Sequence, residues 1–163
     1  ARAASDYLFT HKSGKVMSTL NILSIDLESR SLVITRNNPA PVIISSQGKI
    51  KSLDQECGAV GIYRDTRPVI TELDLDENLF VLLFSDGLPF AGERYGAPMD
   101  IPATLGRLIQ AEKAPQAIAD ALMADALELE QGRPGDDISI VVLGVLASNS
   151  DQVRRMSVRL PLR

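Results

Sequence analysis

A chain of 163 residues with 45% hydrophobic content holds enough apolar material for one globular domain and does not call for a second. Its formal net charge of −4 argues against nucleic acid as a main partner, because a phosphate-backbone binder carries a net basic face. The single Cys57 excludes an internal disulfide and a cysteine-cluster metal site, the single His11 excludes a histidine-rich zinc site, and no apolar run reaches the ~18 residues of a membrane helix. The expected compartment is the cytoplasm.

Ala3 to Phe9 reads as the end of a helix that closes at Lys12-Ser13-Gly14, so the chain is expected to begin inside an element and to have lost its real beginning. Val16–Ile25 is β-prone and Asp26–Arg30 is a polar turn. With Ser31–Thr35 as the second strand, the pattern is a hairpin. Asn37-Asn38-Pro39-Ala40-Pro41 predicts a rigid loop, since each proline fixes its own φ and extends its predecessor. Val42–Ser45 and Lys49–Leu53 read as strands across the turn Ser46-Gln47-Gly48. Gly58-Ala59-Val60-Gly61-Ile62 is too far from a following helix to be a dinucleotide fingerprint and is read as a close crossing of backbones. Val69–Leu75 alternates as a half-buried strand. Strands joined by tight turns imply antiparallel sheet.

Leu79–Phe84 is apolar at every position, which suits a strand buried on both faces, and it stops abruptly at Ser85-Asp86-Gly87. Asp86 is then a carboxylate on a rigid strand end, where a hard cation finds a fixed oxygen ligand, and Gly87 lets the backbone turn. Asp-Gly is also an ordinary turn after a core strand. Residues 88–102, punctuated by Pro89, Gly92, Gly96, Pro98 and Pro102, predict an irregular flap over that strand end. A short helix is expected over Ala103–Ala111. A longer one follows, with Pro115 in its first turn, an apolar stripe of Ile118, Ala121, Leu122, Ala126 and Leu129, and Gly132 as its stop; Asp120, Asp125 and Glu128 read as solvated charges.

Gly135-Asp136-Asp137 runs directly into Ile138–Val145, expected as another buried strand. If this strand pairs antiparallel with Leu79–Phe84, the start of one meets the end of the other, and Asp136 converges on Asp86 across 50 positions of sequence. Converging carboxylates with water in the remaining positions are a partial shell for Mg²⁺ or Mn²⁺, and phosphate ester hydrolysis is the natural reaction for a pair of such ions. Gly-Asp-Asp between strands also occurs in polymerases, and a strand ending in Asp in receiver domains. The acidic balance and small size count against the first, the runs of hairpins against the second. The tail from about residue 147 to 163 offers Val153–Leu160 as an edge strand and a basic cluster, Arg154, Arg155, Arg159 and Arg163, read as a solvated face.

FVLLFSDG followed by a flap, helices and GDDISIVVLGV resembles the metal-dependent protein serine/threonine phosphatases of the 2C type (PPM), in particular the bacterial SpoIIE-like branch that regulates sigma factors. STLNILSIDLESRSLVITRNNPAP is similar to that family's hairpin and loop, and GAVGIY to its glycine-containing connection. The resemblance implies an α+β fold, an α-β-β-α sandwich of two antiparallel sheets with flanking helices, in which residues 1–163 form the C-terminal portion of a single phosphatase domain whose N-terminal part is missing. It implies that Asp86 and Asp136 are metal-binding catalytic residues, that Asp137 and Gly87 belong to the same metal site, Asp137 at the position that usually supports it, and that the complete domain holds two Mn²⁺ or Mg²⁺ ions whose bridging water attacks phosphorus in line. The implied substrate is phosphoserine or phosphothreonine on an anti-sigma-factor antagonist, with a sensor domain upstream. Phe90 stands where the family often has an acidic residue, Asn38-Pro39 stands where it often has Gly-His, and its N-terminal Gly-Asp motifs have no counterpart here. The alternative is therefore a catalytically inactive, phosphatase-like regulatory module. Missing strands would expose edges and apolar faces, so self-association, as in a homodimer, is also expected.

Overall fold

Strand Leu79–Phe84 lies between two hydrophobic cores, and the computed structural model, which describes residues 1–147, is layered around it. The elements in chain order are α1 (Arg2–Lys12), β1 (Leu20–Asp26), β2 (Ser31–Asn37), β3 (Val42–Ser46), β4 (Lys49–Leu53), β5 (Val69–Asp74), β6 (Leu79–Phe84), a 3-10 turn (Glu93–Tyr95), α2 (Ile101–Gln110), α3 (Pro115–Leu129) and β7 (Ile140–Val145). One antiparallel sheet has the order β1-β2-β5 and the other β4-β3-β6-β7. The expected pair of antiparallel sheets with helices is what the chain forms.

Period-two alternation places the side chains. Leu79, Val81 and Leu83 of β6 meet Leu32, Ile34, Val42 and Ile44 between the sheets. Phe80, Leu82 and Phe84 point the other way, into a core closed by Leu105 and Leu108 of α2 and Ile118, Leu122 and Ala126 of α3. No position of β6 faces water, which is why its sequence carries no polar residue. The hairpin β1–β2 is in register from Leu20↔Asn37 to Asp26↔Ser31, and the Asp26 carboxylate braces its turn by accepting from the amides of Glu28 and Ser29 at 2.8 and 3.2 Å. The backbone crossing expected at Gly58–Ile62 is present. Ser18 bridges Val60, and a Cβ on Gly61 (φ +97°) would stand 2.4 Å from the Val16 carbonyl oxygen.

Four expectations need correction. Residues 16–19 precede β1, since only Ser18 bridges there and the continuous ladder starts at Leu20. Helix α2 begins at Ile101, because Asp100 caps it by accepting from the Ala103 amide at 3.0 Å and Pro102 sits in its first turn, where its missing N–H costs nothing. Residues 101 and 102 therefore belong to the helix and not to the flap. Strand β7 is shorter than Ile138–Val145 and is half-exposed, with Val141 57% accessible, because it is the outermost strand of its sheet among the described residues. Asp125 is not simply solvated: it pairs with Arg107 of α2 at 3.3 Å. The proposed strand at Val153–Leu160 and the basic cluster from Arg154 to Arg163 lie outside the described residues.

Candidate metal centre

β6 and β7 pair antiparallel from Leu79↔Val145 to Phe84↔Ile140, which sets Ser85-Asp86-Gly87 beside Asp136-Asp137. The ladder continues one step past the strands, with the Ser85 amide donating to the Ser139 carbonyl at 3.0 Å. The Ser85 side chain then fastens the junction: its Oγ donates to the Asp137 carbonyl at 2.8 Å and accepts from the Ser139 amide at 2.9 Å. Gly87 is needed for contact. A Cβ there would lie 2.6 Å from the Asp137 carbonyl oxygen, so only glycine lets the two motifs approach this closely. The structure thus brings together the two motifs that carry Asp86, Gly87, Asp136 and Asp137.

Asp86, Asp136 and Asp137 are all exposed. One oxygen of Asp136, Oδ1, accepts from the Asp137 amide at 2.8 Å, which orients the carboxylate. Among the described residues, no three His, Cys, Asp or Glu gather closely enough to enclose a metal ion. The donors present are nevertheless carboxylate and carbonyl oxygens with no thiolate or imidazole, the set preferred by Mg²⁺ and Mn²⁺. They fit such an ion as part of a shell.

Several residues that shape the site were not legible as site residues. Ser85 and Ser139 line a cavity of about 370 Å³ with Asn21 and Asn38, which reaches between the sheets. Arg36 is buried, donating to the carbonyls of Asn38 (2.9 Å), Ala40 (3.4 Å) and Gln55, and so holds the proline-bracketed loop in place. One signal could have found it: Arg36 continues the in-facing positions Leu32 and Ile34, where a cation must find partners. A second cavity, of about 270 Å³, separates Asp136 and Pro134 from Phe90 and Arg94 of the flap. His11 is exposed, its ring tilted 44° against that of Tyr7 with centroids 4.3 Å apart, and Cys57 donates to the Asn38 carbonyl at 3.2 Å.

Comparison with known proteins gives this geometry a family. The sequence is 23% identical over 146 residues to Stage II sporulation protein E of Bacillus subtilis (strain 168), covering 88% of this chain and 17% of that protein. The chain therefore spans about a sixth of the length of that curated relative. Its fold superposes on the phosphatase domain of the cell fate determinant SpoIIE from Bacillus subtilis with a TM-score of 0.64 at 21% identity, over 93% of this chain and 69% of that one. It also superposes on the catalytic domain of the serine/threonine protein phosphatase PstP, determined in complex with two manganese ions, with a TM-score of 0.66 at 15% identity, over 90% of this chain and 66% of that one. The family model Stage II sporulation protein E (SpoIIE) matches residues 2–146, a span that contains both acidic strand ends. By that match the chain belongs to the SpoIIE family, and its fold is that of PP2C-type phosphatase domains.

Proposed function

We propose that the protein to which this chain belongs hydrolyses phosphoserine or phosphothreonine on a protein substrate, with Mn²⁺ or Mg²⁺ held at Asp86 and Asp136. The observation that carries this reading is the Ser85 junction, which fixes two carboxylate-bearing strand ends side by side on a rigid sheet. Asp86 and Asp136 act as ligands. Asp137 contributes through its backbone, its carbonyl anchoring Ser85 and its amide orienting the Asp136 carboxylate, and Gly87 keeps the approach clear. A pair of bound ions supplies the charge that activates water and screens the phosphoryl oxygens. Since the described residues provide only part of a shell, the remaining ligands come from elsewhere in the protein.

The SpoIIE family and the sequence resemblance support a narrower reading: a phosphorylated anti-sigma-factor antagonist as substrate, a cytoplasmic site of action and control by a sensor domain upstream. The test is Mn²⁺-dependent hydrolysis of a phosphoserine peptide by the full-length protein. Turnover should vanish with chelator and fall at least about a hundredfold in Asp86→Asn, which removes one charged ligand while keeping the shape. Turnover unchanged by Asp86→Asn overturns the assignment of Asp86. A folded full-length protein without turnover points to a regulatory module that has kept the fold.

A further inference from the structure

The flap and the loop that delivers Asp136 are joined by a charge pair that the proposed chemistry does not use. Glu130 follows the last residue of α3 and is only 4% exposed, although it carries a carboxylate. Its Oε1 accepts from the Gly92 amide at 2.8 Å and its Oε2 pairs with the Arg94 guanidinium at 2.8 Å, both partners belonging to the flap. Arg94 also donates to the carbonyls of Glu130 (3.3 Å) and Arg133, three residues before Asp136. Its guanidinium lies 4.8 Å from the centre of the Tyr95 ring, which limits its freedom on the flap side. One side chain thus grips the acidic loop while packed against the flap. The flap turns back on itself at Gly92, a position open only to glycine, since φ is +79° and an added Cβ would meet the Ala97 carbonyl oxygen at 2.2 Å.

We propose that Arg94 and Glu130 are positioning residues that tie the flap to the acidic loop, so that the placement of the flap and the geometry at Asp136 change together. The proposal rests on the phosphatase reading for its catalytic meaning. It makes the 270 Å³ cavity between Phe90 and Asp136 adjustable from the flap side, so that a protein substrate pressing on the flap bears on the metal site through Arg94. Glu130 is the buried partner, so loss of the Arg94 guanidinium would leave its carboxylate as a buried charge without a counter-ion.

The test compares the full-length wild type with Glu130→Gln, Arg94→Met and the double variant. Glu130→Gln keeps an oxygen for the Gly92 amide but removes the charge, and with the double variant it answers the question even if Arg94→Met fails to fold. Amide exchange should rise about tenfold in residues 90–97 and 131–137 together while β6 keeps its protection. The Mn²⁺ dissociation constant, by calorimetry, should rise about tenfold, and kcat for a phosphoserine peptide should fall more than KM changes. Faster exchange in the flap alone, or in both segments with Mn²⁺ affinity unmoved, overturns the proposal. A wild type that binds no Mn²⁺ removes the phosphatase reading, and a paired rise in exchange then still supports the tie between flap and loop.

Discussion

The Ser85 hydroxyl satisfies one backbone donor and one backbone acceptor of the opposite strand at the same time, at 2.9 and 2.8 Å. Ser85→Ala leaves both without that partner and should destabilise the protein by about 1–3 kcal/mol in urea unfolding, with a larger fractional loss of Mn²⁺-dependent turnover than of stability. Ser85→Thr keeps the hydroxyl and should lie near wild type; an equal loss in both variants would show that packing, not the hydroxyl, matters. Asp26 makes a prediction of a different kind. Hydrogen bonds from the Glu28 and Ser29 amides hold its carboxyl below the usual 3.8. A depressed folded-state value stabilises the native protein above the unfolded value and is lost as pH falls through the folded one. The stability gap between wild type and Asp26→Asn should therefore be present at neutral pH and narrow below about pH 4.

At the scale of elements, β6 and β7 pair with each other yet stand in opposite environments. Leu82 of β6 is fully buried against α2 and α3, so Leu82→Ala should cost about 2–5 kcal/mol by thermal or denaturant unfolding. Val141 of β7 is mostly exposed, and Val141→Ala should change stability by no more than about 0.5 kcal/mol. Equal costs would mean that β7 is covered in solution. The sequence separated these strands poorly because both are apolar runs, and a run of branched aliphatics reads the same whether a second layer covers it or not. Helix α2 was placed late for a related reason: Pro102 reads as a breaker until Asp100 is seen to cap the helix and put the proline in the first turn. The flap's attachment was not legible at all. Glu130 looks like one more surface charge on α3, and only the fold brings Gly92 and Arg94 to it across 38 and 36 residues.

For the molecule as a whole, the hairpins, the β6–β7 pairing and the convergence of the two acidic motifs were legible because each depends on short-range turn chemistry or on one antiparallel register. The order of strands across each sheet was not, since β2 pairs with β5 and β3 with β6 over long connections that no local pattern encodes. Among the described residues, the outer edges of β1 and β7 carry no partner strand, and Ile22, Ile25 and Val141 are exposed along them. The 163-residue chain by itself should therefore self-associate, giving a mass above that of the monomer in light scattering that falls on dilution. A strict monomer at all concentrations would show that those edges are covered within one chain.

The meeting of Ser85-Asp86-Gly87 with Asp136-Asp137 also sets an order of events in time. Strand β6 leaves the ribosome with its aspartate 50 residues ahead of the motif that completes the pair, an interval of about 3–10 s at ordinary synthesis rates. Throughout that interval the Ser85 hydroxyl has no Asp137 carbonyl to donate to, and β6 has no β7 along its edge. A nascent chain paused anywhere before residue 136 would leave that edge of β6 and the Ser85 hydroxyl without their partners, so the junction between the two motifs belongs to the finished polypeptide and not to its synthesis.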